Sequence, residues 1–166
     1  MQKSNLIVLI AVLLFAGFAV GLRVVALESD AYRGLSWDTG LFTDEGYYMH
    51  NARNVVLYHQ VKTDEFNNML LMPTLHYLQI AVFKVFGVGL AQTRAISVVF
   101  SLATLFVFWI ALNRAFDEQV ASIATLFLGL DHINLLYNRM GLMDTPAAFV
   151  MVCAFYALMR CFCYVD

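Results

Sequence analysis

Two adjacent carboxylates, Asp44 and Glu45, open a polar run in an otherwise apolar chain: Asp44-Glu45-Gly46-Tyr47-Tyr48-Met49-His50-Asn51-Ala52-Arg53-Asn54. Two tyrosines, a histidine and an arginine stand beside them. A carboxylate close to a hydroxyl can take its proton as the oxygen attacks. A guanidinium close to a phosphate offsets the charge that builds on a leaving group, and Arg53, Arg94 and Arg139 are the candidates. A second acid, Asp144, could bind hydroxyls, help to hold a divalent metal or pair with Arg139. These groups make one site only if residues 44–45 and 138–145 lie on the same side of a membrane.

Each residue also has a plainer role. Thr43 could cap a helix beginning at Asp44, and acids in a first helical turn gain about 0.3–1 kcal/mol from the helix dipole. Asp144 or Thr145 before Pro146 is an ordinary helix start. Arg94 and Arg139 at span ends would anchor to headgroups, and Tyr47 and Tyr48 would form an interfacial aromatic pair. His50, His59 and His76 read as interfacial polar residues.

The elements that must position these residues are membrane elements. Of 166 residues, 61% are hydrophobic and 13% charged; soluble domains run at about 45–50% and about 25%. The net charge of −2 suggests no nucleic-acid partner. Cys161 and Cys163 are separated by one residue and Cys153 stands apart, a spacing that does not fit a zinc site. Residues 5–27 are apolar apart from Arg23, enough to cross about 30 Å of hydrocarbon. Lys3 favours a cytoplasmic start, and Arg23 in the last turn could snorkel to the far interface.

Residues 28–91 then form an extracytoplasmic loop. From Glu28 to Met72 it carries seven acids and three bases, with a turn at Asp38-Thr39-Gly40. Pro73 opens an expected helix over 73–86, with Leu75, Leu78, Val82 and Phe86 as an apolar stripe interrupted elsewhere by Thr74, His76, Gln79 and Lys84. Fourteen residues reach about 21 Å, short of a crossing, so the helix reads as interfacial. Further spans follow at 92–112, 120–137 and 146–163, the third with Asp131-His132 near its end. An acid within a span is costly, and one reading makes Asp131 a proton relay in a small transporter. The expected fold class is therefore all-α integral membrane: about four transmembrane helices plus a juxtamembrane interfacial helix. In that topology residues 44–45 and 138–145 share the outer face. Had 73–86 crossed, they would be separated.

Three stretches resemble, in order and spacing, the polyprenyl-phosphate-dependent membrane glycosyltransferases of the GT-C fold, in particular the protein O-mannosyltransferases and aminoarabinose transferases. Asp44-Glu45-Gly46-Tyr47-Tyr48 resembles the Asp-Glu motif of the first extracytoplasmic loop. Pro73 to Gly87 with Arg94 resembles the juxtamembrane helix and the start of the second span. Arg139-Met140-Gly141-Leu142-Met143-Asp144 resembles an Arg-x-x-x-x-Asp motif that precedes a span. The resemblance implies that Asp44 is the catalytic base and that Glu45 orients it or a neighbour. It further implies that Asp144, Arg139, Arg94, Arg53, Tyr48 and His76 bind substrate. The implied donor is a polyprenyl-phosphate sugar held among membrane lipids, and the acceptor an extracytoplasmic protein or glycolipid. No cofactor is required beyond an open question of a divalent metal.

The chain departs from that pattern in two ways. Leu71-Met72 precede Pro73 where relatives carry a Glu-Lys pair or a His-Pro motif, so a phosphate-binding lysine is missing there; His76 or Arg94 could stand in for it. Such enzymes also have many more spans, so the chain reads as an N-terminal portion, inactive alone. The implied location is the plasma or inner membrane, multi-pass, with the site facing outside. The alternative is a non-catalytic membrane fragment or scaffold subunit.

Overall fold

The computed structural model describes residues 3–28, 40–61 and 72–162. Among these the chain is all-helical. The helices are α1 (Lys3–Val24), α2 (Gly40–Tyr58), α3 (Pro73–Phe86), α4 (Leu90–Ala115), α5 (Glu118–Leu130), α6 (His132–Asn138) and α7 (Asp144–Phe162). The acids of the first loop at 30, 38, 64 and 65, the turn at 38–39 and Cys163 lie outside the described residues.

The membrane class follows from α4 and α7. Leu90–Ala115 has a mean hydropathy of 2.4 and Asp144–Cys161 of 1.2, and both are long enough to cross. A third candidate is the pair α5 and α6, bent by 66°. The described part of α1 adds a further apolar segment, Leu13–Val24. The structure therefore shows an all-α membrane protein, with two helices of spanning length and composition among the described residues, or three with the bent pair.

The stretch expected as one helix over 120–137 is broken at Asp131, because this residue caps the following helix. Its carboxylate accepts from the Asn134 N–H at 2.7 Å, while the Asn134 amide donates to Leu128 O at 2.9 Å. Asp131 is exposed and ends α5 as it begins α6. The preceding turn is capped the same way, with Asp117 accepting from the Val120 N–H at 2.8 Å.

Helix α4 is the hub, packing against α7, α5, α3, α1 and α6. Phe100 of α4 meets Phe149 of α7 with ring centroids 5.4 Å apart and planes tilted by 55°, a geometry that the ring quadrupoles favour. Arg23 does not reach the interface. It is fully buried, with Nε donating to Ser101 Oγ at 3.0 Å and Nη1 to Ala19 O and Gly129 O at 3.0 and 3.1 Å. The reason is local supply: a serine hydroxyl and two carbonyls inside the bundle engage Nε and Nη1, while Nη2 is buried without a partner.

Helix α3 matches its expected bounds. Pro73 sits in the first turn, where its missing N–H costs nothing. Gly87 ends the helix at φ +86°, a left-handed conformation that glycine alone adopts without strain. The buried face differs from the expected stripe. Leu75, His76, Gln79, Ile80 and Phe83 are buried, and Ile80 and Phe83 form a core with Ala52, Met49, Val55 and Val56 of α2. Phe86 of the expected stripe is exposed. The difference arises because α2 lies along the face that carries His76 and Gln79 and shields it.

Candidate active site

Helix α2 begins at Gly40, four residues before Asp44. The two acids therefore stand beyond the first turn, and a capping role for Thr43 with a dipole role for the acids does not account for them. In an α-helix adjacent residues point about 100° apart, which sends the two carboxylates to different surroundings. Asp44 is exposed, whereas Glu45 is buried.

Glu45 faces Arg94 in a bidentate pair, Nε to Oε1 at 2.9 Å and Nη2 to Oε2 at 2.7 Å. The two side chains are 4% and 2% exposed. The pair is further held on both sides. Arg94 Nη1 donates to Leu27 O at 2.6 Å, and Glu45 Oε1 accepts the backbone N–H of Gly141. The loop at 139–142, α2, the start of α4 and the turn after α1 thus meet at one carboxylate. Thr93 closes the contact. Its hydroxyl reaches Met49 Sδ at 3.8 Å, and its Cγ2 lies only 2.4 Å from where a Cβ on Gly141 would stand.

Arg139 is buried and donates to Leu22 O, to Val25 O at 2.9 Å and to Ala26 O at 3.0 Å. These carbonyls lie in the last turn of α1 and just beyond it, where a cation also meets the negative end of the helix dipole. Arg94 and Arg139 therefore bind the end of α1 rather than headgroups. Arg53 is exposed and donates to the neighbouring Asn54 Oδ1 at 3.3 and 3.1 Å.

Tyr48 is half-buried one turn beyond Asp44. Burial, and then the negative charges of Asp44 and Asp144, hold its phenol above the usual tyrosine value, so it stays a hydrogen-bond donor. The charges of Asp44 and Asp144 both act on this phenol, although 100 residues separate them in sequence. Asp144 is exposed in the first turn of α7. The rim thus offers an accessible carboxylate, a second carboxylate and a protonated phenol, above a buried ion pair.

His76 is fully buried between α3 and α2 and does not line this rim as an interfacial residue would. Neither ring nitrogen reaches hydrogen-bond geometry with a protein atom, and the Gln79 amide is unpaired as well. Burial and then the nearby His50 lower the pKa of His76, against opposing pulls from the Gln79 side chain and the Tyr48 backbone, so the ring favours its neutral form. Among the described residues no three His, Cys, Asp or Glu side chains gather to hold a metal ion.

Two residues essential to this geometry carried no chemical signal in the sequence. Gly141 and Thr93 act by shape and backbone. The one available cue was a glycine inside the Arg-x-x-x-x-Asp stretch.

A family model for dolichyl-phosphate-mannose-protein mannosyltransferases matches residues 47–164. It takes in Tyr48, Arg94, Arg139 and Asp144, and begins just after Asp44 and Glu45. No curated protein and no solved structure matches the chain. With about seven-tenths of its length matched, the chain belongs to the dolichyl-phosphate-mannose-protein mannosyltransferase family, and is a membrane glycosyltransferase of the mannosyltransferase type.

Proposed function

We propose that the chain transfers a sugar from a polyprenyl-phosphate donor to a hydroxyl of an extracytoplasmic acceptor, with Asp44 as the base. The single observation that carries this reading is the division of labour between the two adjacent acids. Glu45 is occupied by Arg94 and the Gly141 N–H. Asp44 is exposed beside Tyr48, and Asp144 acts on the same phenol.

In the proposed step the acceptor oxygen attacks the anomeric carbon of the sugar. Its proton passes to the Asp44 carboxylate. The bond from the anomeric carbon to the phosphate oxygen breaks, and its electron pair leaves with the polyprenyl phosphate. Tyr48, kept protonated, can donate to a phosphate or sugar oxygen. Asp144 accepts from sugar hydroxyls. Glu45, Arg94 and Arg139 are positioning residues: they fix the two loops on the end of α1. His76 is proposed to support the rim through the α2–α3 contact. Mannose, named in the family's description, is the sugar to test first, and a protein the first acceptor. A divalent metal has no assigned ligands in this scheme.

Asp44→Asn keeps shape and removes the base. Transfer from dolichyl-phosphate mannose to a hydroxyl-bearing peptide, measured in membranes containing the full-length protein, should fall by roughly 10²–10⁴-fold. Tyr48→Phe should weaken transfer less. Unchanged turnover by the Asp44 variant would defeat the base assignment and favour a non-catalytic scaffold.

A further inference from the structure

The end of α1 holds both ends of α6 through two buried guanidiniums. At one end Arg23 donates to the Gly129 carbonyl, just before the bend, and to Ser101 of α4. At the other end Arg139, which closes α6, donates to Leu22 O, Val25 O and Ala26 O. Leu22 and Arg23 are neighbours in sequence. The same short stretch of α1 therefore clasps α6 front and back.

The bend gives the clasp its purpose. Where α5 turns into α6, the carbonyls of Leu128 and Gly129 take side-chain donors. Asn134 of α6 supplies the first at 2.9 Å, and Arg23 supplies the second at 3.1 Å from another helix. A carbonyl left without a donor in hydrocarbon is strongly disfavoured. Without Arg23, the Gly129 carbonyl regains a donor only on a straighter path, as a continuous helix provides. Arginine suits the place by shape. Nε reaches Ser101 on α4 while Nη1 reaches Ala19 O and Gly129 O, so one planar fork joins three helices. A lysine ammonium is a compact point charge and does not bridge them.

We infer that Arg23 is a positioning residue for transfer, setting through the α5–α6 bend where residues 139–145 stand; the inference rests on the sugar-transfer reading above. Beyond α6 the chain passes at once into the site. The Gly141 N–H meets Glu45, and Asp144 begins α7. Buried Thr145 donates to Tyr137 O of α6 at 3.2 Å, which ties the start of α7 to the same short helix. The seven residues of α6 span about 10 Å. Easing part of the 66° bend therefore displaces the far end of α6 by several ångströms. A misplacement of about 1 Å can already cost about a hundredfold in rate.

The test uses the full-length protein in phosphatidylcholine nanodiscs, in a cysteine-free background. Spin labels at Leu57→Cys on α2 and Met143→Cys in the loop report the site by pulsed electron spin resonance. Labels at Phe116→Cys and Val150→Cys, across the α4–α7 contact, report the rest of the bundle. All four positions are exposed. In Arg23→Leu the Leu57–Met143 distances should shift or broaden by roughly 5 Å, while the Phe116–Val150 distances stay. Transfer by unlabelled Arg23→Leu should fall about tenfold to a hundredfold. The losses from Arg23→Leu and Arg139→Met should not multiply, because either change frees α6. The double variant should lie within about threefold of the worse single one. If Arg23→Leu loses the Phe116–Val150 distances too, Arg23→Lys carries the test. It keeps a charge without the fork, and should move the Leu57–Met143 distances alone. Asp44→Asn should keep wild-type distances, so the distance readout stands whether or not Asp44 is the base. Unchanged Leu57–Met143 distances in both Arg23 variants, or losses of transfer that multiply, overturn the inference.

Discussion

The Glu45–Arg94 pair is the most consequential contact between single residues. Both side chains are almost fully buried, so each charge has given up water for the other. Removing one partner of a buried pair typically costs about 3–5 kcal/mol, because the survivor is left unpaired. Glu45→Gln and Arg94→Met should each lower thermal stability in detergent by that order. The double variant should be less destabilised than the two losses added, since it leaves no orphan charge. Strict additivity would mean that the pair contributes nothing as a pair. Neither guanidinium of Arg94 and Arg139 reveals its partners in sequence. They bind backbone carbonyls 67 and more than 110 residues away, and a carbonyl has no sequence signature.

His76 gives a second residue-scale prediction. Its pKa is lowered in the folded chain, first by burial and then by His50. A depressed value means that the unfolded chain binds the proton more readily. The stability contributed by the neutral ring is therefore present above the unfolded histidine value of about 6.5 and is lost as pH falls through the folded value. The melting temperature of the wild-type chain should drop between pH 7.5 and pH 5. His76→Leu should flatten that part of the profile, and it should not destabilise at pH 7.5 because it also removes two unpaired buried nitrogens. A variant profile parallel to wild type would remove His76 from the explanation.

At the scale of elements, the site depends on how closely the 139–142 loop approaches α4. A Cβ added to Gly141 would stand 2.4 Å from Thr93 Cγ2 and 3.4 Å from Glu45 Oε1. The loop must move away, and with it the N–H that Glu45 accepts. Gly141→Ala should cost about 1–3 kcal/mol, as overpacking does, and should reduce transfer. Thr93→Ser removes the clashing methyl, so the double variant should recover part of both losses. Failure of Thr93→Ser to restore anything would place the defect in the backbone conformation of residue 141 instead.

Elements were legible where local chemistry decides them. Pro73 and Gly87 bracket α3 in sequence and in structure. The apolar runs gave α4 and α7, and the polar turns between them gave the loops. The break at Asp131 was not legible, because apolar residues flank Asp131-His132 on both sides within the expected span 120–137, and a single side-chain cap produces the 66° bend. The start of α2 was misplaced for a related reason. Thr43 before two acids has the composition of a helix start, yet the chain is already helical at Gly40. The face of α3 was misread because its environment is set by α2, which arrives from elsewhere in the chain. Propensity decides that a helix forms; the neighbour decides which side is inside.

For the whole molecule, the decisive relation is between the two loops and the spans that separate them. Glu45 accepts the Gly141 N–H, so the loops before α4 and before α7 meet at one end of the bundle. Helix α4 runs away from that end, the α5–α6 pair returns to it, and α3, at about 21 Å, is too short to invert the order. Charge does not decide which side faces out, since the turn between α4 and α5 carries Arg114 beside Asp117 and Glu118. Single cysteines in a cysteine-free background should decide it. Tyr47 and Met143 are exposed near the site, and Asn113 is exposed at the opposite turn. Tyr47→Cys and Met143→Cys should react with a membrane-impermeant thiol reagent added outside intact cells, while Asn113→Cys should react only after permeabilisation. Reversal of all three would keep the shared site and move it to the cytoplasmic face, so the acceptor would be cytoplasmic. Tyr47 and Met143 on opposite sides would break the Glu45–Gly141 contact, and the transfer site would go with it.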